Sequence, residues 1–299
     1  MNAKYCNAKC QNNHWPKHKK LCKQHAAEIY DEALFKDPPA KEDCPICFLP
    51  MPVKLISSFS LPPATIKSVP IYDFAIANQK LVKKSTEQYY VCCGKSICGG
   101  CLHSFFESGN SMNCPYCKSE RMSKTEDELL GEIMKRVEAN DAGALNLLGN
   151  HYYNGLRDFQ QDVEKAIKLQ TQAAELGSSQ AHFALGLHFH KGGDLKKTKF
   201  HLGAAAMAGC EAARYNLGRI EANTGNFERA FKHWTIAASA GCFDSMHALI
   251  VFYEKGLVLG YSFVSRESLD SILATYNNSC AEMRSDARDA YIRFVKETM

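Results

Sequence analysis

Ala-Ala-x-x-Gly occurs three times in this 299-residue chain, at Ala173 to Gly177, Ala205 to Gly209 and Ala237 to Gly241, each copy 32 residues after the last. Nine residues beyond each glycine stand Gly186, Gly218 and Ile250, closing Ala-x-x-x-Leu-Gly in the first two copies and Ser-x-x-x-Leu-Ile in the third. An earlier copy, Ala144-x-x-x-Leu148-Gly149, is offset by 37 residues because the loop around Gly155 to Asp162 is five residues longer. Small residues recurring on one face let two antiparallel helices approach closely. A unit this short cannot bury its own apolar side, so neighbours must stack. The period therefore predicts a superhelical solenoid of helix pairs in the second half of the chain.

The run from Ala166-Ile167-Lys168-Leu169 through Ala173-Ala174-Glu175-Leu176-Gly177 to Ala184-Leu185-Gly186 resembles the Sel1-like repeat, a relative of the tetratricopeptide repeat. The resemblance covers about residues 139 to 255 and implies an all-α domain that docks a protein partner. Ile250 in place of glycine marks the last copy as the start of a cap over 256 to 299, with helices expected over Ser265 to Tyr276 and Ala281 to Lys296. His182, His188, His190 and His201 fall within one repeat, where helical spacing turns His188 and His190 ~200° apart, so they are read as structural rather than metal-binding. Cys210 and Cys242 follow Gly209 and Gly241 at equivalent places, as small core residues do.

Upstream the chain is built differently. Eleven of its fourteen cysteines fall within residues 6 to 117. The start lacks the apolar core of a signal peptide, and no apolar run approaches the ~18 residues that span a bilayer. The expected compartment is intracellular, cytoplasmic or nuclear, and reducing, where clustered thiols are more often metal ligands than disulfides. Composition agrees with a soluble globular protein: 45% hydrophobic and 23% charged residues. The net charge of +4 does not point to nucleic acid. It is also local, since residues 1 to 25 hold six lysines and no acid, read as a solvated basic face.

Four two-ligand knuckles lie between Cys44 and Cys117: Cys44/Cys47, Cys92/Cys93, Cys98/Cys101 and Cys114/Cys117. Two thiolates from one tight turn supply half of a tetrahedral zinc shell, so the four knuckles fit two ions. Their order, with Cys92-Cys93-Gly94-Lys95-Ser96-Ile97-Cys98-Gly99-Gly100-Cys101 and Cys114-Pro115-Tyr116-Cys117, resembles a RING finger. That family interleaves its ligands. The resemblance implies one ion on Cys44, Cys47, Cys98 and Cys101, with the second knuckle joining Cys114 and Cys117 on the other. Lys95 stands where the family has a histidine ligand, and a protonated amine offers zinc no lone pair. Cys92 and Cys93 together, or His103, must then complete the second shell.

Nearer the start, Tyr5-Cys6-Asn7-Ala8-Lys9-Cys10 and His14-Trp15-Pro16-Lys17-His18-Lys19-Lys20-Leu21-Cys22 resemble the second half of a MYND finger. In that family Cys6 and Cys10 complete one site and His18 and Cys22 the other, each with an upstream cysteine pair. No such pair precedes them here, so they read as a truncated remnant or as a single Cys/Cys/His/Cys zinc site.

The fold class expected is small zinc-stabilised α+β modules followed by an all-α solenoid. The domains are a partial MYND-type finger (1–25), a helical linker (26–43), a RING-like finger (44–117), a linker helix (118–138), the repeats (139–255) and the cap. His25 to Phe35 reads as a helix stopped by Asp37-Pro38-Pro39, and Tyr72 to Val82 as a short helix. Thr125 and Glu128 form a capping box ahead of an apolar stripe from Leu129 to Val137.

Nothing in the sequence forms a nucleotide loop, a nucleophile triad or a paired-carboxylate site. A zinc-binding scaffold for protein partners is the first reading. The RING resemblance implies a second, a ubiquitin-protein ligase without catalytic residues of its own. In that family an apolar residue of the first knuckle and a basic residue after the last cysteine contact a ubiquitin-conjugating enzyme and its ubiquitin. Ile46 and Lys118 match, and Phe105 and Phe106 are the aromatics beside them. A thiol–disulfide redox protein is the third, because Cys-Pro-Tyr-Cys also resembles a glutaredoxin site, although no βαβ pattern surrounds it.

Overall fold

The computed structural model describes residues 15–51, 87–109, 113–120, 124–155, 159–259 and 264–297. The helix expected over Tyr72 to Val82 lies outside them, as do Cys6, Cys10 and the side chains of His18 and Cys22. Helix α1 (Trp15–Phe35) comes first, beginning ten residues before the expected His25. The hairpin of β1 (Glu87–Tyr90) and β2 (Lys95–Cys98) pairs Tyr90 with Lys95 and Glu87 with Cys98, and α2 (Gly99–Glu107) continues directly from it.

All elements after that are helices. They are α3 (Glu126–Glu138), then the pairs α4 (Ala142–Asn154) with α5 (Val163–Glu175), α6 (Ser179–Lys191) with α7 (Leu195–Met207), and α8 (Glu211–Asn223) with α9 (Phe227–Ser239). A last pair, α10 (Phe243–Leu259) and α11 (Arg266–Glu282), leads to α12 (Asp286–Glu297). A small cysteine-rich α+β module thus precedes a helical-repeat solenoid.

Local chemistry sets these boundaries. The Thr125 side chain accepts from the Glu128 N–H while the Glu128 carboxylate accepts from the Thr125 N–H, starting α3. Asp141, Asp162, Ser178 and Asp194 cap α4 to α7 in the same sense. In each Ala-Ala-x-x-Gly the alanines are buried between helices. The glycine sits at φ 90, 87 or 87° (Gly177, Gly209, Gly241), a left-handed turn in which a Cβ would be strained. The next residue's N–H returns to the first alanine's carbonyl at 2.9–3.0 Å, closing the helix.

The glycine of Leu-Gly has another role. A Cβ on Gly186 would lie 2.7 Å from a methyl of Leu202, and one on Gly218 2.4 Å from Trp234 Nε1. Leu202 and Trp234 are equivalent positions of the paired helix, so the glycine is the notch into which that side chain packs. For Gly186→Ala the overpacking cost of ~1–3 kcal/mol exceeds the ~1 kcal/mol gained in helix propensity. A net loss of up to ~2 kcal/mol in urea unfolding is expected. An unchanged midpoint would show that α6 and α7 separate freely.

Helix α1 docks on the repeats. Leu34 is buried among Phe183, Leu202, Ala205 and Leu217, and Tyr30 lies over Gly203, where a Cβ would collide with its hydroxyl. Asp31 pairs with both terminal nitrogens of Arg229, and Phe35 packs against His233 at 4.6 Å between ring centroids. Arg214, 1% exposed, donates to the Leu34 and Lys36 carbonyls at 2.7 and 3.2 Å. Farther on, Lys41 reaches Glu211 at 3.0 Å and the Ala240 carbonyl at 2.7 Å. The repeat surface is therefore partly covered by the chain itself.

Candidate metal centre

The first and last knuckles share one backbone design. Cys44 donates to the Leu49 carbonyl (2.9 Å) and accepts from the Phe48 N–H (2.8 Å), while Cys114 does the same with Ser119 and Lys118 (2.8 and 3.0 Å). Phe48 and Lys118 occupy the left-handed region at φ 54 and 60°, which folds each chain back beneath its cysteine pair. The other two pairs come from the hairpin. Cys92 and Cys93 ride the turn after Tyr90, whose carbonyl accepts from the Cys93 and Gly94 N–H groups at 3.3 and 2.8 Å. Gly94 at φ 69° lets that turn present adjacent side chains to one site, which a regular strand does not. Cys98 ends β2 and Cys101 lies in the first turn of α2.

These elements gather the eight sulfurs into two tetrads, Cys44/Cys47/Cys98/Cys101 and Cys92/Cys93/Cys114/Cys117, each with all sulfurs within 4.8 Å of one another. The knuckles alternate along the chain, the interleaving that the RING resemblance implies. Cys93 rather than His103 joins the second tetrad; His103 packs edge-on to Tyr291 of α12. Sulfur–sulfur separations are 3.8 Å for Cys44–Cys101, 3.9 Å for Cys47–Cys98 and 3.7 Å for Cys93–Cys114. A tetrahedron with ~2.3 Å metal–sulfur bonds has edges of ~3.8 Å, whereas a disulfide needs ~2.05 Å. Four soft donors at this spacing fit zinc.

The tetrads differ in surroundings. In the first, Cys44 and Cys98 are fully buried and Cys101 nearly so, while in the second Cys117 is exposed. The hydrogen bond with the Cys101 thiol, reinforced by Arg288, holds Cys98 below the ordinary thiol range, while the same contact pushes Cys101 up.

Two arginines from the helical domain brace the module, and nothing in the sequence pattern marked them. Arg136 of α3 donates to the Val91 and Cys92 carbonyls and pairs with Asp141 at 2.9 Å. Asp141, the cap of α4, also accepts from the Tyr89 hydroxyl at 2.9 Å. Arg288 of α12 reaches the first tetrad's sulfurs and the carbonyls behind its knuckle. Gly94 and Gly100 are the available signals, since a Cβ on either would collide with Arg136 or Arg288 respectively.

In the repeats, His182 and His201 meet at 3.1 Å between Nδ1 atoms, and His188 bonds the buried Gln170 at 2.6 Å. Burial lowers all three, His188 and His201 to about 4, so they are neutral packing groups at pH 7. Among the described residues no third metal-binding side chain gathers with them. Burial pushes the Cys242 thiol up to about 12, the behaviour of a core residue.

The fold and these tetrads define a helical-repeat protein with a zinc-compatible cysteine module. The MYND finger family matches residues 1–22, and that finger too is compatible with zinc. No curated protein matches the chain. Among solved structures it is similar to a Sel1 repeat protein from Oxalobacter formigenes, with 22% identity, 62% of this chain and 72% of that one covered, and a TM-score of 0.45. It is also similar to a protective antigen of uropathogenic Escherichia coli strains displaying an SLR fold, at 19% identity, 67% and 44% coverage and a TM-score of 0.41. An immunity protein from Pseudomonas aeruginosa follows at 15% identity, 75% and 90% coverage and a TM-score of 0.33. No helix among the described residues is long and apolar enough to cross a membrane.

Proposed function

We propose that the chain is a zinc-binding protein-interaction scaffold. Cys44, Cys47, Cys98 and Cys101 hold one ion and Cys92, Cys93, Cys114 and Cys117 another, in a RING-like module, while Cys6, Cys10, His18 and Cys22 belong to a MYND-type finger. The observation that carries this reading is the pair of interleaved tetrads at tetrahedral edge lengths, because such sites shape a surface and leave no coordination position for substrate. The repeats supply a second surface. Val163, Leu195 and Phe227 stand one repeat apart at the first position of α5, α7 and α9, and remain 42, 43 and 37% exposed. A periodic apolar row left open to solvent is what a partner chain covers.

A specific observation also favours the ligase reading. On the first knuckle Ile46 is 41% and Phe48 76% exposed, and Lys118 on the last knuckle is exposed as well. Discharge of ubiquitin from a panel of charged conjugating enzymes separates the two. The scaffold reading expects the uncatalysed rate with every enzyme. Acceleration by any of them, lost in Ile46→Ala, replaces it with the ligase reading.

A further inference from the structure

We infer that the first metal site is completed by the far end of the chain. Arg288 of α12 serves as its outer-sphere cation, and metal held by Cys44, Cys47, Cys98 and Cys101 fastens the C-terminal helix to the finger. The inference rests on the zinc-binding reading above. Four thiolates around a divalent ion carry net negative charge, and here two of the sulfurs have no exposure. Such charge is costly to bury without a partner.

Arg288, itself 2% exposed, supplies one. Its Nε lies 3.4 Å from Cys98 Sγ and its Nη2 3.7 Å from Cys47 Sγ. Nη2 also donates to the Leu49 carbonyl at 3.4 Å and Nη1 to the Pro50 carbonyl at 2.9 Å, so one guanidinium grips both the sulfurs and the backbone leaving the first knuckle. Nη1 further holds the Met283 carbonyl, at the end of α11, at 2.6 Å. The helices touch backbone to backbone. A Cβ on Gly100, between ligands Cys98 and Cys101, would lie 2.7 Å from the Arg288 Cα and N.

Among the described residues the second tetrad has no equivalent arrangement. Its arginine, Arg136, reaches carbonyl oxygens rather than sulfur, and Cys117 faces solvent. The two ions therefore sit in unequal shells, one closed by a buried cation and one open to water. Outer-sphere partners of this kind typically change metal affinity ~10–100-fold.

The test uses full-length zinc-loaded protein and an excess of a coloured zinc chelator. Release should be multiphasic, with the slow phase belonging to the first tetrad and abolished by Cys47→Ser. Arg288→Ala should accelerate that phase ~10–100-fold and leave the faster release unchanged, with Arg288→Lys between. Proteolytic release of α12 should keep pace with the slow phase. Gly100→Ala, which displaces α12 with every ligand intact, should act in the same direction and serves if Arg288→Ala does not fold. A protein that binds no zinc fails the underlying reading. A protein that binds zinc, but whose slow phase is unmoved by the foldable variant or whose α12 stays protected after that phase ends, overturns the inference alone.

Discussion

Removing zinc with a chelator at neutral pH is expected to unfold residues 44–51, 87–109 and 113–120 while the middle of the repeat stack stays helical. The reason lies in what fills the module's core. Besides cysteines, its buried side chains are Tyr90 and Ile97, with Met51, Leu102 and Tyr116 partly covered. Fully burying one such side chain contributes about 1.5–3 kcal/mol, whereas ordering each residue costs about 1–2 kcal/mol of backbone entropy. Apolar burial alone cannot hold these segments. Structural zinc contributes on the order of 10–16 kcal/mol at neutral pH, enough to reverse the balance. The repeats need no metal, because Trp234, Met246, Leu249 and Tyr276 build a conventional apolar core there. Limited proteolysis combined with far-UV circular dichroism checks the outcome. Rapid cleavage between Cys44 and Glu120 should accompany a small loss of helix signal. A module that resists protease after measured loss of zinc contradicts the account.

The repeat was legible because its period is imposed by packing. Alanine pairs must be small where helices cross, Gly177, Gly209 and Gly241 must adopt positive φ, and Gly186 and Gly218 must admit a partner side chain. At Ile250 the pattern departs: this residue is 3% exposed and lies in the same apolar core as Leu273, the eighth residue of α11 and so the equivalent of Leu202 and Trp234. The interleaving of the cysteine pairs was legible as a resemblance, since each pair must come from one turn. The docking of α1 and the two arginine braces left no such trace. Arg288 lies in the polar sequence Asp286-Ala287-Arg288-Asp289, 190 residues from the sulfur it meets. A contact made once, between distant segments, produces no period. Gly99-Gly100 beside Cys101 signalled that something comes close, but a glycine does not name its neighbour.

Replacing Arg214 with alanine is expected to release α1 from the repeats and to lower stability by about 1–3 kcal/mol for each buried carbonyl left without its donor. The guanidinium is nearly inaccessible, and burial lowers its pKa while Asp37 and Glu211 oppose that shift. Its bonds go to the Leu34 and Lys36 carbonyls, at the end of α1 where helical partners run out. Truncation strands these acceptors and leaves a void beside Leu34, the one fully buried side chain among the described residues of α1. The Asp31–Arg229 pair is about a third exposed or more on both sides, and the buried Glu221 that Arg229 also approaches at 3.8 Å keeps Lys199 at 2.8 Å, so Arg229→Ala should cost only ~0.2–1 kcal/mol. The contrast between the two variants is the measurement. In hydrogen exchange, Arg214→Ala should deprotect Tyr30 to Phe35 with little change in α4 and α5, and Arg229→Ala should leave that stretch protected. Equal effects would place the anchor of α1 in its ion pair rather than in the buried cap.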